Sequence, residues 1–239
     1  MTGLEKGKAL FEKQEFESAI TELNTFLAQQ PNNADALYTR AICYRKIEKY
    51  DNSVADLTTI LTRLPEEATL LCDRGISHFK NKNIDAALKD MDKAVELEPN
   101  NPFRYSSRAY IKGKVDIDGA MADYEKAIEL DPKDEISYNN LGLLQENAGR
   151  MKAAKKNFKK SNKIIGYDPD KKKENLDTGE KKQEEIDTPE NTKLENRVET
   201  IDTSTPRNSL RKTMLSVFTS KTIRQEYYNF LKSKFKRAV

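Results

Sequence analysis

The stretch ADALYTRAICYRKI, Ala34 to Ile47, and its continuation YDNSVADLTTILTRL, Tyr50 to Leu64, decide how this chain is read. Each half spaces its apolar residues as an amphipathic helix does, and a short polar turn separates the two. The pattern recurs along the chain. Ala19, Ser53, Ala87, Ala120 and Ala154 stand 34, 34, 33 and 34 residues apart. Four residues after each comes a larger apolar side chain: Leu23, Leu57, Met91, Tyr124 and Phe158. Gly7, Ala41, Gly75, Ala109 and Gly142 keep nearly the same step, and Pro31, Pro65, Pro99 and Pro132 close successive units. Three series in phase mark an internal repeat built from paired helices.

The physical reading of the period is direct. A small residue in the first helix lets the second approach closely, and the small residue in the second reciprocates. The proline ends the second helix and turns the chain into the next unit. A single hairpin cannot bury its own apolar stripe, so each unit needs a stacked neighbour. The fold expected is all-α, an α-solenoid of about five hairpins over residues 1–165. The fourth unit is one residue short, and the shortfall falls in its turn around Val115–Asp118.

These residues resemble tetratricopeptide repeats. YEKAIELDP (Tyr124 to Pro132) and MDKAVELEP (Met91 to Pro99) are similar to that family's consensus, as are the small residue at the eighth position and the closing proline. The fifth unit departs from it, with Gly166 where the proline would stand. The resemblance implies a groove lined by first helices that takes an extended peptide or a helix of a protein partner. Carried over position by position, it nominates Tyr38, Ile42 and Arg45 in the second repeat and Cys72, Ile76 and Phe79 in the third. Phe103 and Tyr110 follow in the fourth, and Asn139 and Leu143 in the fifth. The alternative for each is that it packs between repeats. The clamp with which chaperone co-factors of this family hold acidic C-terminal peptides is not expected. Leu4 and Lys8 stand where Lys and Asn would be needed, Thr39 replaces Asn, and Asp73 would repel a carboxylate.

Chemistry is not expected either. His78 is the only histidine and sits at a hairpin-facing position, and no C-x-x-C, H-E-x-x-H, G-x-x-x-x-G-K or G-x-G-x-x-G stretch occurs. No enzyme activity, cofactor or metal is anticipated. Cys43 and Cys72 are the only cysteines and read as buried free thiols. The start of the chain has no apolar signal core, and no run of 18 apolar residues exists to span a membrane, which suits a cytoplasmic protein.

Charge divides the chain. Residues 1–165 hold 26 basic and 26 acidic side chains, residues 166–205 hold 7 and 12, and residues 206–239 hold 9 and 1. The middle segment has few bulky apolar residues and reads as a charged flexible linker. Just before it, RMKAAKKNFKKSNK (Arg150 to Lys163) has seven positive charges and no negative one. The first reading of that run is a solvated cap on the last repeat, and the alternative is a phosphate-binding face. In the C-terminal segment Ile223, Tyr227, Leu231 and Phe235 recur every four residues among lysines and arginines, the pattern of a basic amphipathic helix. That helix is expected to dock on a partner or on the chain's own repeats. An anionic membrane surface ranks second, and no specific nucleic acid is expected. The oligomeric state is not legible in the sequence.

Overall fold

The computed structural model describes residues 2–167. They form ten helices and no strand: α1 (Gly3–Glu12), α2 (Phe16–Gln29), α3 (Ala34–Lys46), α4 (Tyr50–Leu61), α5 (Ala68–Lys80), α6 (Ile84–Leu97), α7 (Pro102–Lys112), α8 (Ile117–Leu130), α9 (Glu135–Asn147) and α10 (Met151–Ile164). The fold class is the all-α solenoid of helical hairpins that the repeat dictates. Its described residues divide into two compact units, residues 2–64 with two hairpins and residues 65–167 with three. The linker beyond Tyr167 and the segment with Ile223, Tyr227, Leu231 and Phe235 lie outside the described residues.

Side-chain caps start six of the ten helices. Thr2 and Glu5 form a capping box on α1, and the side chains of Asn33, Asn83, Asn101, Asp116 and Asp134 accept backbone N–H bonds at the starts of α3, α6, α7, α8 and α9. The hairpin turns share one device. Gln14, Glu48, Lys82 and Gly149 take φ of 63°, 62°, 65° and 73° in the turns of the first, second, third and fifth hairpins. The fourth hairpin has no such residue; Asp116 N–H instead donates to Lys112 O at 2.7 Å, closing the turn one residue sooner. The single missing residue is therefore the left-handed one, where the sequence placed the shortfall.

Within each hairpin the small residues set the distance between helices. A Cβ on Gly7 would lie 2.6 Å from Leu23 Cγ, and one on Gly142 would lie 2.6 Å from the Phe158 ring. Ala19, Ala41, Ala87, Ala109, Ala120 and Ala154 are all buried. The larger partners Leu23, Leu57, Met91 and Tyr124 are buried as well, so the two series found in the sequence are the two sides of one core. In the second unit Ala109, Met121, Tyr124 and Leu141 form a cluster against which Ile128 and Leu144 pack.

A polar series runs beside the apolar one. Arg40 grips Asp56 with two bonds, Nε to Oδ2 at 2.8 Å and Nη2 to Oδ1 at 2.7 Å. Arg74 does the same to Asp90, at 2.8 and 2.7 Å, and Arg108 to Asp123, at 2.8 and 2.6 Å. Lys6 and Glu22 hold the equivalent place in the first hairpin at 2.8 Å. The pairs tie the first helix of a hairpin to its second. Two of the arginines also reach back one hairpin, Arg40 Nη1 to Asn24 at 2.6 Å and Arg108 Nη1 to Asp92 at 2.9 Å. The bond to its aspartate raises each arginine's pKa. Burial pushes the Asp56 carboxyl up while Arg40 pulls it down. Bidentate geometry of this kind is what a planar guanidinium provides and an ammonium does not.

Candidate functional site

First helices carry the positions nominated from the sequence, and the structure sorts them by burial. In α3, Tyr38 is 0% and Ile42 1% exposed, and Arg45 is half-buried. Helix α3 packs against α1, α2 and α4, and Tyr38 and Ile42 present almost no surface to solvent. That burial favours, for these two, the alternative of packing between helices. Cys72 at 2% and Asn139 at 9% are also buried and belong to the packing between helices. Thr39 and Asp73, which argued against a chaperone clamp, are each 1% exposed.

A different outcome holds for α7 and α9. Phe103, Tyr110 and Leu143 are 43%, 44% and 42% exposed, large apolar side chains left open to solvent. Phe103 and Tyr110 stand seven residues apart and so lie on one side of α7. Phe79 on α5, half-buried, meets Tyr110 edge to face with ring centroids 5.6 Å apart. Ile76 precedes it on the same helix and is half-buried. Leu143 occupies in the fifth hairpin the register position that Tyr110 occupies in the fourth. The second unit thus presents an aromatic and aliphatic stripe across its first helices.

Arg104 braces this stripe from below. It is 5% exposed, donates from Nε to Glu98 Oε2 at 2.8 Å and from Nη2 to Thr69 Oγ1 at 2.9 Å, and lies 5.6 Å from the Phe103 ring centre. One side chain therefore ties the start of α5 to α7 and steadies an exposed ring. The thiols are inert by position. Burial pushes Cys43 up to about 12 and Cys72 up to about 11, and both are free. Such groups hold few thiolates near neutrality.

Among the described residues no cluster of three or more His, Cys, Asp or Glu side chains could hold a metal, and no helix is long and apolar enough to cross a membrane. One open cavity of about 510 Å³ lies in the first unit, lined by Gln30, Asn32, Asp35, Thr59 and Arg63 among others. Arg63 Nη1 donates across it to Asn32 O at 3.3 Å. Reading the sequence missed the Arg–Asp series. Its signal was available: Lys6, Arg40, Arg74 and Arg108 each precede the small residue of their repeat and keep the 34-residue step.

Models described as tetratricopeptide repeat match residues 4–68, 68–101 and 136–167, and one described as TPR repeat matches residues 114–149. Among curated proteins none matches. Solved structures similar to the chain include MamA, 24% identical, with a TM-score of 0.60 and coverage of 70% of this chain and 96% of that one. MamA from Desulfovibrio magneticus RS-1 is 19% identical with a TM-score of 0.61, covering 67% of this chain and 92% of that one. YrrB, described as a TPR protein with an unusual peptide-binding site, is 20% identical with a TM-score of 0.54, covering 68% and 84%. At these identities the likeness concerns the fold alone.

Proposed function

The chain belongs to the tetratricopeptide repeat family within residues 4–167, and on that premise we propose that it is a non-enzymatic scaffold whose second unit binds a peptide or helix of a protein partner. The observation that carries the reading is the open stripe of Phe103, Tyr110 and Leu143. Three large apolar side chains on two neighbouring first helices, Tyr110 and Leu143 at matching register and Phe103 two turns earlier on α7, suit the apolar face of a helix or an aromatic-rich peptide. Phe79 contacts Tyr110 and Arg104 contacts Phe103, and such contacts lower the ordering cost of association. YrrB's described peptide-binding site supports peptide recognition by this fold.

Sequence charge adds a competitor within the chain. Residues 206–239 carry 9 basic and 1 acidic side chains, whereas the repeats before Arg150 carry 19 basic and 26 acidic. The face with Ile223, Tyr227, Leu231 and Phe235 is complementary in both apolar character and charge, and would mask the stripe until a partner displaces it.

The experiment is affinity purification with mass spectrometry on the full chain and on a Tyr110→Ser/Leu143→Ser variant. Partners that use the stripe bind the variant at least about tenfold more weakly, the scale of losing interface anchors. A chain lacking residues 206–239 captures more of the same partners if the tail competes. Equal capture by the parent chain and the double variant places the binding face elsewhere.

A further inference from the structure

Helix α10 combines two faces of opposite character. Toward α9 it turns Ala154 and Ser161, both buried, with Ser161 Oγ donating to Glu135 O at 2.9 Å. Asn157 Nδ2 donates to Gln145 Oε1 at 2.8 Å on the same side. Away from α9 stand Lys152, Lys155, Lys156, Lys159, Lys160 and Lys163, all exposed. At about 100° per residue they fall within an arc of about 140° on a rod about 21 Å long. None of the six takes part in an ion pair among the described residues.

This arrangement works against the helix itself. Lys152–Lys156, Lys155–Lys159, Lys156–Lys160 and Lys159–Lys163 are like charges four residues apart, each a repulsive pair. No acid stands in the first turn of α10, where the macrodipole favours one, and Lys152 stands there instead. A solvated cap would be served as well by mixed signs.

We propose that the outer face of α10 docks on an anionic lipid bilayer. The choice of cation argues for diffuse, laterally mobile anions. At the buried carboxylates of Asp56, Asp90 and Asp123 this chain uses the arginine fork, whereas lysine pairs singly with more open acids such as Glu22, Glu96 and Glu129. On α10 the exposed arc holds lysine alone, a hydrated point charge without bidentate geometry. A straight row of ammonium groups matches a planar sheet of phosphates and carboxylates, with each lysine adding to the attraction. Nucleic acid fits less well, because no aromatic ring or guanidinium interleaves with the lysines to stack on bases or fork to them. The apolar side chains lie past the C-terminal end of the arc, with Ile164, Ile165 and Tyr167 at 37%, 56% and 44% exposure. They are placed to dip into the interface beside the lysine row. A second cationic segment, residues 206–239, follows the acidic residues 166–205, so one flat surface can hold both cationic pieces at once.

The test is flotation of the full chain with phosphatidylserine–phosphatidylcholine vesicles and with phosphatidylcholine alone. The comparison variant is Lys156→Gln/Lys159→Gln/Lys160→Gln/Lys163→Gln, with the C-terminal segment intact. All four side chains are exposed, so the variant folds, which its circular dichroism and melting temperature verify. The parent chain floats with the anionic vesicles only and is released by salt, and the variant partitions about a thousandfold less, as four lost lysines predict. Inorganic phosphate at millimolar level leaves the parent bound. Three results overturn the proposal: no flotation of the parent, undiminished flotation of the variant, or displacement of the parent from vesicles by a duplex oligonucleotide at equal phosphate.

Discussion

The ninth residue of the repeat is Ile42 in the second hairpin and Tyr110 and Leu143 in the fourth and fifth. The first is 1% exposed, the others 44% and 42%. Register alone assigns all three to the same side of a first helix. It does not say whether that side is covered. On α3 the position is buried, and on α7 and α9 it is open. Family position therefore nominates a binding residue, but packing decides whether it can bind anything.

Substitutions can break this comparison or sharpen it. Ile42→Ala should destabilise the protein by about 2–5 kcal/mol, as truncation of a buried aliphatic side chain does. Tyr110→Ser should stay within about 1 kcal/mol of the parent, since an exposed ring contributes little beyond its contact with Phe79. Urea unfolding of the two variants measures both, and similar losses would mean that the two positions are equally buried. Gly142→Ala comes next. Its methyl would overlap the Phe158 ring at 2.6 Å, and forcing the helices apart should cost about 1–3 kcal/mol. The same melt on Gly149→Ala, where nothing lies within 4 Å but φ is 73°, separates crowding from backbone strain.

A further effect, confined to high pH, is on alkaline stability. Burial raises the folded pKa of Cys43 from its ordinary value to about 12. A proton bound more tightly in the folded state stabilises it fully below the unfolded pKa, and that contribution fades as pH rises toward 12. Cys43→Ala should therefore move the midpoint of alkaline unfolding upward relative to its own stability at neutral pH. An unchanged difference between the two proteins across that range would show that the thiol is not held in its protonated form.

Much of the architecture was legible in the letters because period, small residues and prolines are local signals that a helix pair must obey. Even the short fourth hairpin could be placed at Val115–Asp118, since dropping one turn residue leaves both helices in register. Burial at Tyr38, Ile42, Cys72 and Asn139 was not legible, because it depends on helices that are distant in sequence. The Arg–Asp series lay between those extremes. Arg40, Arg74 and Arg108 recur with the period, but each partner lies 15 or 16 residues onward, a spacing that means nothing until the hairpin is closed.

That series also has a terminus. In the fifth hairpin Leu141 stands where the arginine would be, and Asn157 replaces the aspartate. The slot that receives the backward reach of Arg40 is Asn24, and that of Arg108 is Asp92. On α10 the corresponding residue is Lys159. A further hairpin bearing the usual arginine would meet a like charge there, and so would the Lys6 of another copy stacked end to end. The series thus ends with a cation in the slot that Asn24 and Asp92 fill in earlier hairpins.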